Sequence, residues 1–187
     1  MQSLGSRLAR ADAIRSGRNL IILIAGTAVM TLAAKAQVPF WPVPMTLHTM
    51  AVMAFAVLFG PRRAIAIFAA YLGAGAIGLP VFSGTPERGV GLAYMIGPTG
   101  GYLLGYLLAS GATGMLASGR GTIGQVVAML AGLTIVYAAG IAWLAAFVPA
   151  NRLLELGVWP FLPGDLLKIA IVAFALRFAS RLRSAHA

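Results

Sequence analysis

The sequence predicts an all-α integral membrane protein, a six-transmembrane-helix bundle with both termini cytoplasmic. Three observations predict it. Of the 187 residues 60% are hydrophobic and 10% charged, and the mean hydropathy is +0.90. A soluble domain is about 45–50% apolar and about 25% charged. Six apolar runs recur along the chain, each roughly 20 residues, the length that about 30 Å of hydrocarbon requires. The 14 basic residues fall between those runs, ten of them at the termini and in alternate turns.

Residues 1–18 carry Arg7, Arg10, Arg15 and Arg18, with Leu4, Leu8, Ala11 and Ile14 at helical spacing. They read as a basic amphipathic leader on the cytoplasmic membrane face or as a disordered basic leader. Residues 19–187 then form a single six-helix membrane domain. The first span runs from Leu20 to Ala34. A signal peptide is its rival, because Ala34, Lys35 and Ala36 make a small-x-small site, although the apolar run is long for a signal peptide. The proline-rich connector 38–44 follows, and the second span runs from Met45 to Phe59.

Pro61, Arg62 and Arg63 make a tight basic turn before the third span, Ala64 to Leu79, which Pro80 ends. Residues 81–95 form the longest polar connector. The fourth span runs from Thr99 to Ala117, the fifth from Gly124 to Val148, and the last from Gly164 to Leu182. With the N-terminus inside, Arg7, Arg10, Arg15, Arg18, Arg62, Arg63, Arg120, Arg177, Arg181 and Arg183 lie on one side. Lys35, Arg88, Arg152 and Lys168 lie on the other. The positive-inside rule therefore places the longer connectors 38–45, 80–98 and 149–163 on the outer face. Irregular backbone in so apolar a chain lies at a membrane surface or lines a cavity, so this face is the first place to look for a ligand.

Several function classes fall away. A net charge of +10 could suggest nucleic acid, but the cations form no stripe with interleaved aromatics. There is no cysteine, so disulfides and thiolate metal sites are excluded, and two histidines and four acids offer little for any other metal site. The chain carries no Walker loop, HExxH or GxSxG, and no plausible triad. It is not expected to be an enzyme, nor to hydrolyse ATP by itself.

Small residues recur at every fourth position: Ala66, Ala70, Ala74 and Gly78; Gly97, Gly101, Gly105 and Ala109; Gly124, Ala128, Gly132 and, after Val136, Gly140. Such ladders bring helix backbones together, within this bundle or against a partner membrane protein. Asp165 and Lys168 stand three apart at the start of the last span, hence on one helix face. Charges at membrane depth mark a site or pathway, or else satisfy each other as a helix-starting pair. Lys35 is either a second cation for the site or a snorkelling anchor. His48 and Gln125 are lone polar residues within spans, of a kind that neighbouring helices usually satisfy. Trp41, Tyr94 and Trp159 suit either an interfacial belt or a cavity lid. Met115 and Met129 read as core filler.

The runs VPFWPVPMTLHT (38–49), PRR (61–63), GAIGLPVFSG (75–84), GPTGGYLLGY (97–106) and PGDLLKIA (163–170) together resemble the BioY family, the biotin-capturing S components of energy-coupling-factor transporters. The resemblance covers about residues 20–180. It implies a six-helix bundle with a vitamin site near the outer face, in the cell inner (plasma) membrane. Biotin would be the transported ligand, with no cofactor. The implied partners are a transmembrane coupling protein and ATPase subunits, which alone use ATP.

By the same resemblance Asp165 and Lys168 match the family's PGDxxK residues that contact the biotin head group. Phe40, Trp41, Met45 and Thr46 belong to the cover over the site, and Phe82, Tyr94, Thr99 and Tyr102 to the opposite wall. His48 stands where the family more often has glutamine. The alanine motif expected on the first helix for docking the coupling protein is interrupted, with Val29 between Ala25 and Ala33. The alternatives are a capture subunit for another small vitamin or, in a different class, a small membrane enzyme or channel.

Overall fold

The computed structural model describes residues 4–38 and 41–185, and side chains from 17 to 182 except at 39 and 40. Its long helices are α1 (Leu4–Lys35), α2 (His48–Ala76), α4 (Gly100–Ala117), α5 (Thr122–Leu144) and α7 (Leu162–Ala185). The short helices α3 (Leu92–Met95) and α6 (Leu153–Gly157) lie in the connectors, α6 directly after a 3₁₀ turn at Ala150–Arg152. Gly17–Lys35, His48–Ala76 and Thr122–Leu144 are each long and apolar enough to cross a membrane by themselves.

Helix α2 holds two of the expected spans. It breaks at Gly60, whose φ of 75° and ψ of 175° leave the helical region, and resumes at once with Pro61. A positive φ is available to glycine without strain, and proline suits a first helical position. The arms 48–59 and 61–76 thus fold back without a loop, and with α1, α4, α5 and α7 they make six helical rods.

Three boundaries differ from expectation. Helix α1 runs from Leu4 without a break, so the basic leader shares one helix with the first span, and the side chains that would make that leader amphipathic lie outside those described. The second span begins at His48, because Met45–Thr46 forms strand β2, paired antiparallel with β1 (Gln37–Val38) in register Gln37↔Thr46 and Val38↔Met45. The third span ends at Ala76, before Pro80, where turn bonds such as Gly78 N–H to the Gly75 carbonyl take over.

Packing follows the small-residue ladders in two of three cases. On α4 and α5, whose mutual contact is the most extensive, Gly101, Gly105, Ala109, Ala128, Gly132, Val136 and Gly140 are buried. A Cβ on Gly105 would lie 2.8 Å from the Val136 Cα, so the two backbones touch. The ladder of the third span is only partly internal: Ala66 and Gly78 are exposed, Ala70 and Ala74 are half-buried, and α2 chiefly buries Ala64, Ile67, Phe68, Tyr71 and Gly75. Bulky side chains there fill the space between α1 and α4, so the small residues turn outward. Met129 is buried as expected, whereas Met115 lies 65% exposed on the outward face of α4.

The connectors that follow α1 and α2 are sewn together by polar contacts. Lys35 Nζ donates to the Thr85 carbonyl (3.1 Å) and Oγ1 (2.8 Å), Ser83 bonds Gln37, and Arg88 donates to the Pro42 carbonyl at 3.2 Å. Lys35 is therefore a strap between connectors, and it does not line the cavity described next.

Candidate functional site

A cavity lies between the β1–β2 connector, residues 83–106 and helices α5 and α7. The atom-free space is about 510 Å³, but only about 40 Å³ of it admits the centre of a water-sized sphere, so it is a narrow slot. Val43, Leu103, Val136 and Phe161 supply apolar wall; Tyr102, Tyr106 and Tyr137 supply hydroxyls.

Its charged corner is built by the start of α7. Pro163 and Gly164 open the helix, and Asp165 and Lys168 follow one turn apart, so their side chains project together. Lys168 Nζ lies 2.9 Å from Asp165 Oδ1 and donates to the Thr46 carbonyl at 2.6 Å. Tyr137 on α5 donates to Asp165 Oδ2 at 2.7 Å. Asp165 is 4% exposed and Lys168 8%, so this is a desolvated pair whose partners are all in place. First-turn placement also sets the carboxylate at the positive end of the α7 dipole. Each carboxylate oxygen has one donor and can accept another, so the corner can still receive N–H groups from a ligand.

Tyr94 and Thr99 form the opposite rim, at the junction of α3 and α4. Burial pushes the Tyr94 phenol above its usual range, which keeps it a neutral hydrogen-bonding group. Tyr102 donates to the Gly157 carbonyl at 2.8 Å, tying the wall to α6. A second, more open hollow, with about 640 Å³ of atom-free space, lies beside the rim, lined by Trp41, Glu87, Arg88, Tyr94 and Thr99. There the Arg88 guanidinium stands 5.9 Å from the Trp41 ring centre.

Seven of the residues singled out from sequence meet at the slot: Met45, Thr46, Tyr94, Thr99, Tyr102, Asp165 and Lys168. Three do not. Trp41 is 77% exposed and faces the outer hollow. Phe82 is fully buried beside the slot, stacked on Tyr94 with ring centres 4.8 Å apart and set edge-on to Tyr71. Its ring occupies the space that a side chain at Gly75 would need, so it braces the wall from behind. Phe40 lies outside the described residues.

Sequence reasoning passed over Ser83, Tyr106 and Tyr137, and gave His48 only a minor place; all four line the slot. Tyrosines inside apolar spans look like packing residues, and the one signal for Tyr137 was its place on α5, the helix that carries the third small-residue ladder. Among the other polar residues, Gln125 donates to the Arg120 carbonyl, away from the slot, and Trp159 is 60% exposed.

The sequence profile of the BioY family matches residues 7–185. The biotin transporter BioY of Thermotoga maritima is 36% identical over 154 residues, covering 81% of this chain and 89% of that protein. The biotin transporter BioY of Rhizobium etli is 35% identical, covering 84% of this chain and 90% of that protein. Among solved structures, the S-component for biotin from an ECF-type ABC transporter superposes with a TM-score of 0.76 at 26% identity. That alignment covers 91% of this chain and 93% of the other. These relatives are transport proteins, not enzymes, and the solved S-component shares the overall helical fold. On its family profile and on its relatives of at least 35% identity, the chain belongs to the BioY family.

Proposed function

We propose that this chain is the biotin-capturing membrane subunit of an energy-coupled importer, and that the slot is its binding site. One observation carries the reading: a buried, fully partnered Asp165–Lys168 pair sits in a slot whose other walls are mainly apolar and phenolic, with Ser83, Thr99 and His48 adding polar points. Biotin has a matching division. Its fused ureido ring offers two N–H donors and a strongly accepting oxygen, its sulfur ring is apolar, and its chain ends in a carboxylate.

In this reading Asp165 accepts the ureido N–H groups while Lys168 donates to the ureido oxygen or helps hold the carboxylate. Val43, Leu103, Val136 and Phe161 enclose the sulfur ring and exclude water, which strengthens the polar contacts. Met45 and Thr46 cover the site, and Tyr94, Thr99 and Tyr102 face them. The chain lies in the cell inner membrane with both termini cytoplasmic, because ten of its 14 cations then face inward. The basic stretch from Leu4 to Arg18 carries the first helix onto the cytoplasmic membrane surface. No part of the chain is suited to nucleotide hydrolysis, so a transmembrane coupling protein and ATPase subunits drive inward release. The test is a biotin titration of the purified chain followed by tryptophan fluorescence, with Trp41 beside the cover as reporter. A signal that saturates in the micromolar range or below is expected; no response at micromolar biotin overturns the reading.

A further inference from the structure

His48 opens α2 with 5% of its surface exposed, and both of its ring nitrogens have partners. Nδ1 lies 2.9 Å from Thr46 Oγ1, and Nε2 lies 3.0 Å from the Tyr71 hydroxyl. Tyr71 has one hydroxyl hydrogen, and it goes to the Val81 carbonyl at 3.3 Å. The bond between Tyr71 and His48 must then be donated by Nε2–H. Thr46 Oγ1 already accepts the His48 backbone N–H at 3.3 Å, and its own hydrogen finds its acceptor at Nδ1. A proton on Nδ1 would remove that acceptor. A neutral ring carrying its hydrogen on Nε2 satisfies all of these bonds at once, the Tyr71–Val81 bond included.

The two arms of this relay end on different connectors. Thr46 is in β2, and its carbonyl receives Lys168 Nζ at 2.6 Å. Val81 opens the connector whose Ser83 lines the same slot. One ring thus holds the cover, the far wall and, through Thr46, the direction of the Lys168 ammonium. Phe68, Tyr71 and Tyr106 pack around it with ring centres 5.4–6.5 Å away, which leaves the imidazole little freedom to turn.

We propose that His48, as the tautomer protonated at Nε2, is a positioning residue that holds the Thr46 carbonyl against Lys168 and fixes both outer connectors to the slot. The proposal rests on the slot being the ligand site for its effect on affinity, and on geometry alone for the tautomer.

The experiment has two arms. In the first, His186→Gln leaves His48 as the sole histidine of the chain, and the ring nitrogens of ¹⁵N-histidine-labelled protein are observed by NMR without ligand. One protonated and one unprotonated nitrogen are expected, with Thr46→Val shifting only Nδ1 and Tyr71→Phe only Nε2. A charged ring, a ring protonated at Nδ1, or shifts indifferent to both variants overturns the proposal.

In the second arm, Thr46→Val and His48→Leu should each raise the biotin Kd about fivefold, the scale of one net hydrogen bond. Together they should raise it no further than the larger single effect, because both cut the same arm. Effects that multiply to about 25-fold would mean independent roles and overturn the proposal. Failure of the unsubstituted chain to bind biotin would overturn the functional reading instead, while the first arm would still decide the tautomer.

Discussion

The Tyr137 hydroxyl donates to Asp165 Oδ2 at 2.7 Å, from a helix 28 residues earlier in the chain. This contact makes the charged corner a joint product of α5 and α7, since Lys168 on the same helix occupies Oδ1. An aspartate held only by its i+3 lysine could swing with its rotamer; one held at both oxygens presents its remaining lone pairs in fixed directions.

Tyr137→Phe should therefore weaken biotin binding by about 1 kcal/mol, roughly fivefold, while leaving the bundle folded. Calorimetric titration measures the change and a thermal melt checks the fold. Undiminished affinity would show that the hydroxyl does not orient the carboxylate.

Arg88 joins the connector 81–91 to the cover, donating to the Pro42 carbonyl and standing over the Trp41 ring. Such half-exposed cation–ring contacts contribute about 0.5–1 kcal/mol. Arg88→Ala should speed biotin dissociation by roughly two- to fivefold. Stopped-flow displacement reads this directly, and an unchanged dissociation rate would mean the cover is held by other contacts.

Close backbone approach between α4 and α5 predicts an effect on stability that is read without ligand. Gly105→Leu would force side-chain atoms against Val136 and should cost about 1–3 kcal/mol, seen as a lower melting temperature in detergent. Gly73→Ala adds a Cβ where nothing lies within 4 Å and should not lower it. Equal melting temperatures for the two variants would contradict the packing account.

The orientation has its own test, helped by a chain with no cysteine. With both termini inside, Glu87→Cys should react with a membrane-impermeant maleimide added to intact cells, whereas Ser118→Cys should react only after the membrane is opened. The reverse pattern would invert the topology.

The fold was legible in the sequence because each crossing is an apolar run and each reversal is marked by glycine, proline or arginine. Gly60 and Pro61 show where legibility stopped: they mark a turn correctly, but only the backbone reveals that helix resumes with no loop between. At the site, Asp165 and Lys168 were readable because their spacing puts them on one face of a helix with proline at its start. His48, Tyr106 and Tyr137 were not, since a lone polar residue in an apolar span looks the same whether it packs or lines a cavity. Phe82 misled in the other direction. An aromatic beside Gly78 and Pro80 reads as pocket wall, yet Gly75, seven residues earlier, leaves room for its ring to turn inward.

The account as a whole turns on whether the Asp165 corner is what holds biotin. Calorimetric titration of the intact chain and of Asp165→Asn, side by side, measures this. The intact chain should bind one biotin per protein, and the variant should lose at least about 1–3 kcal/mol, roughly five- to 150-fold, as an unsatisfied buried partner would cost. Equal affinity in the two proteins would contradict the account and move the site away from α7.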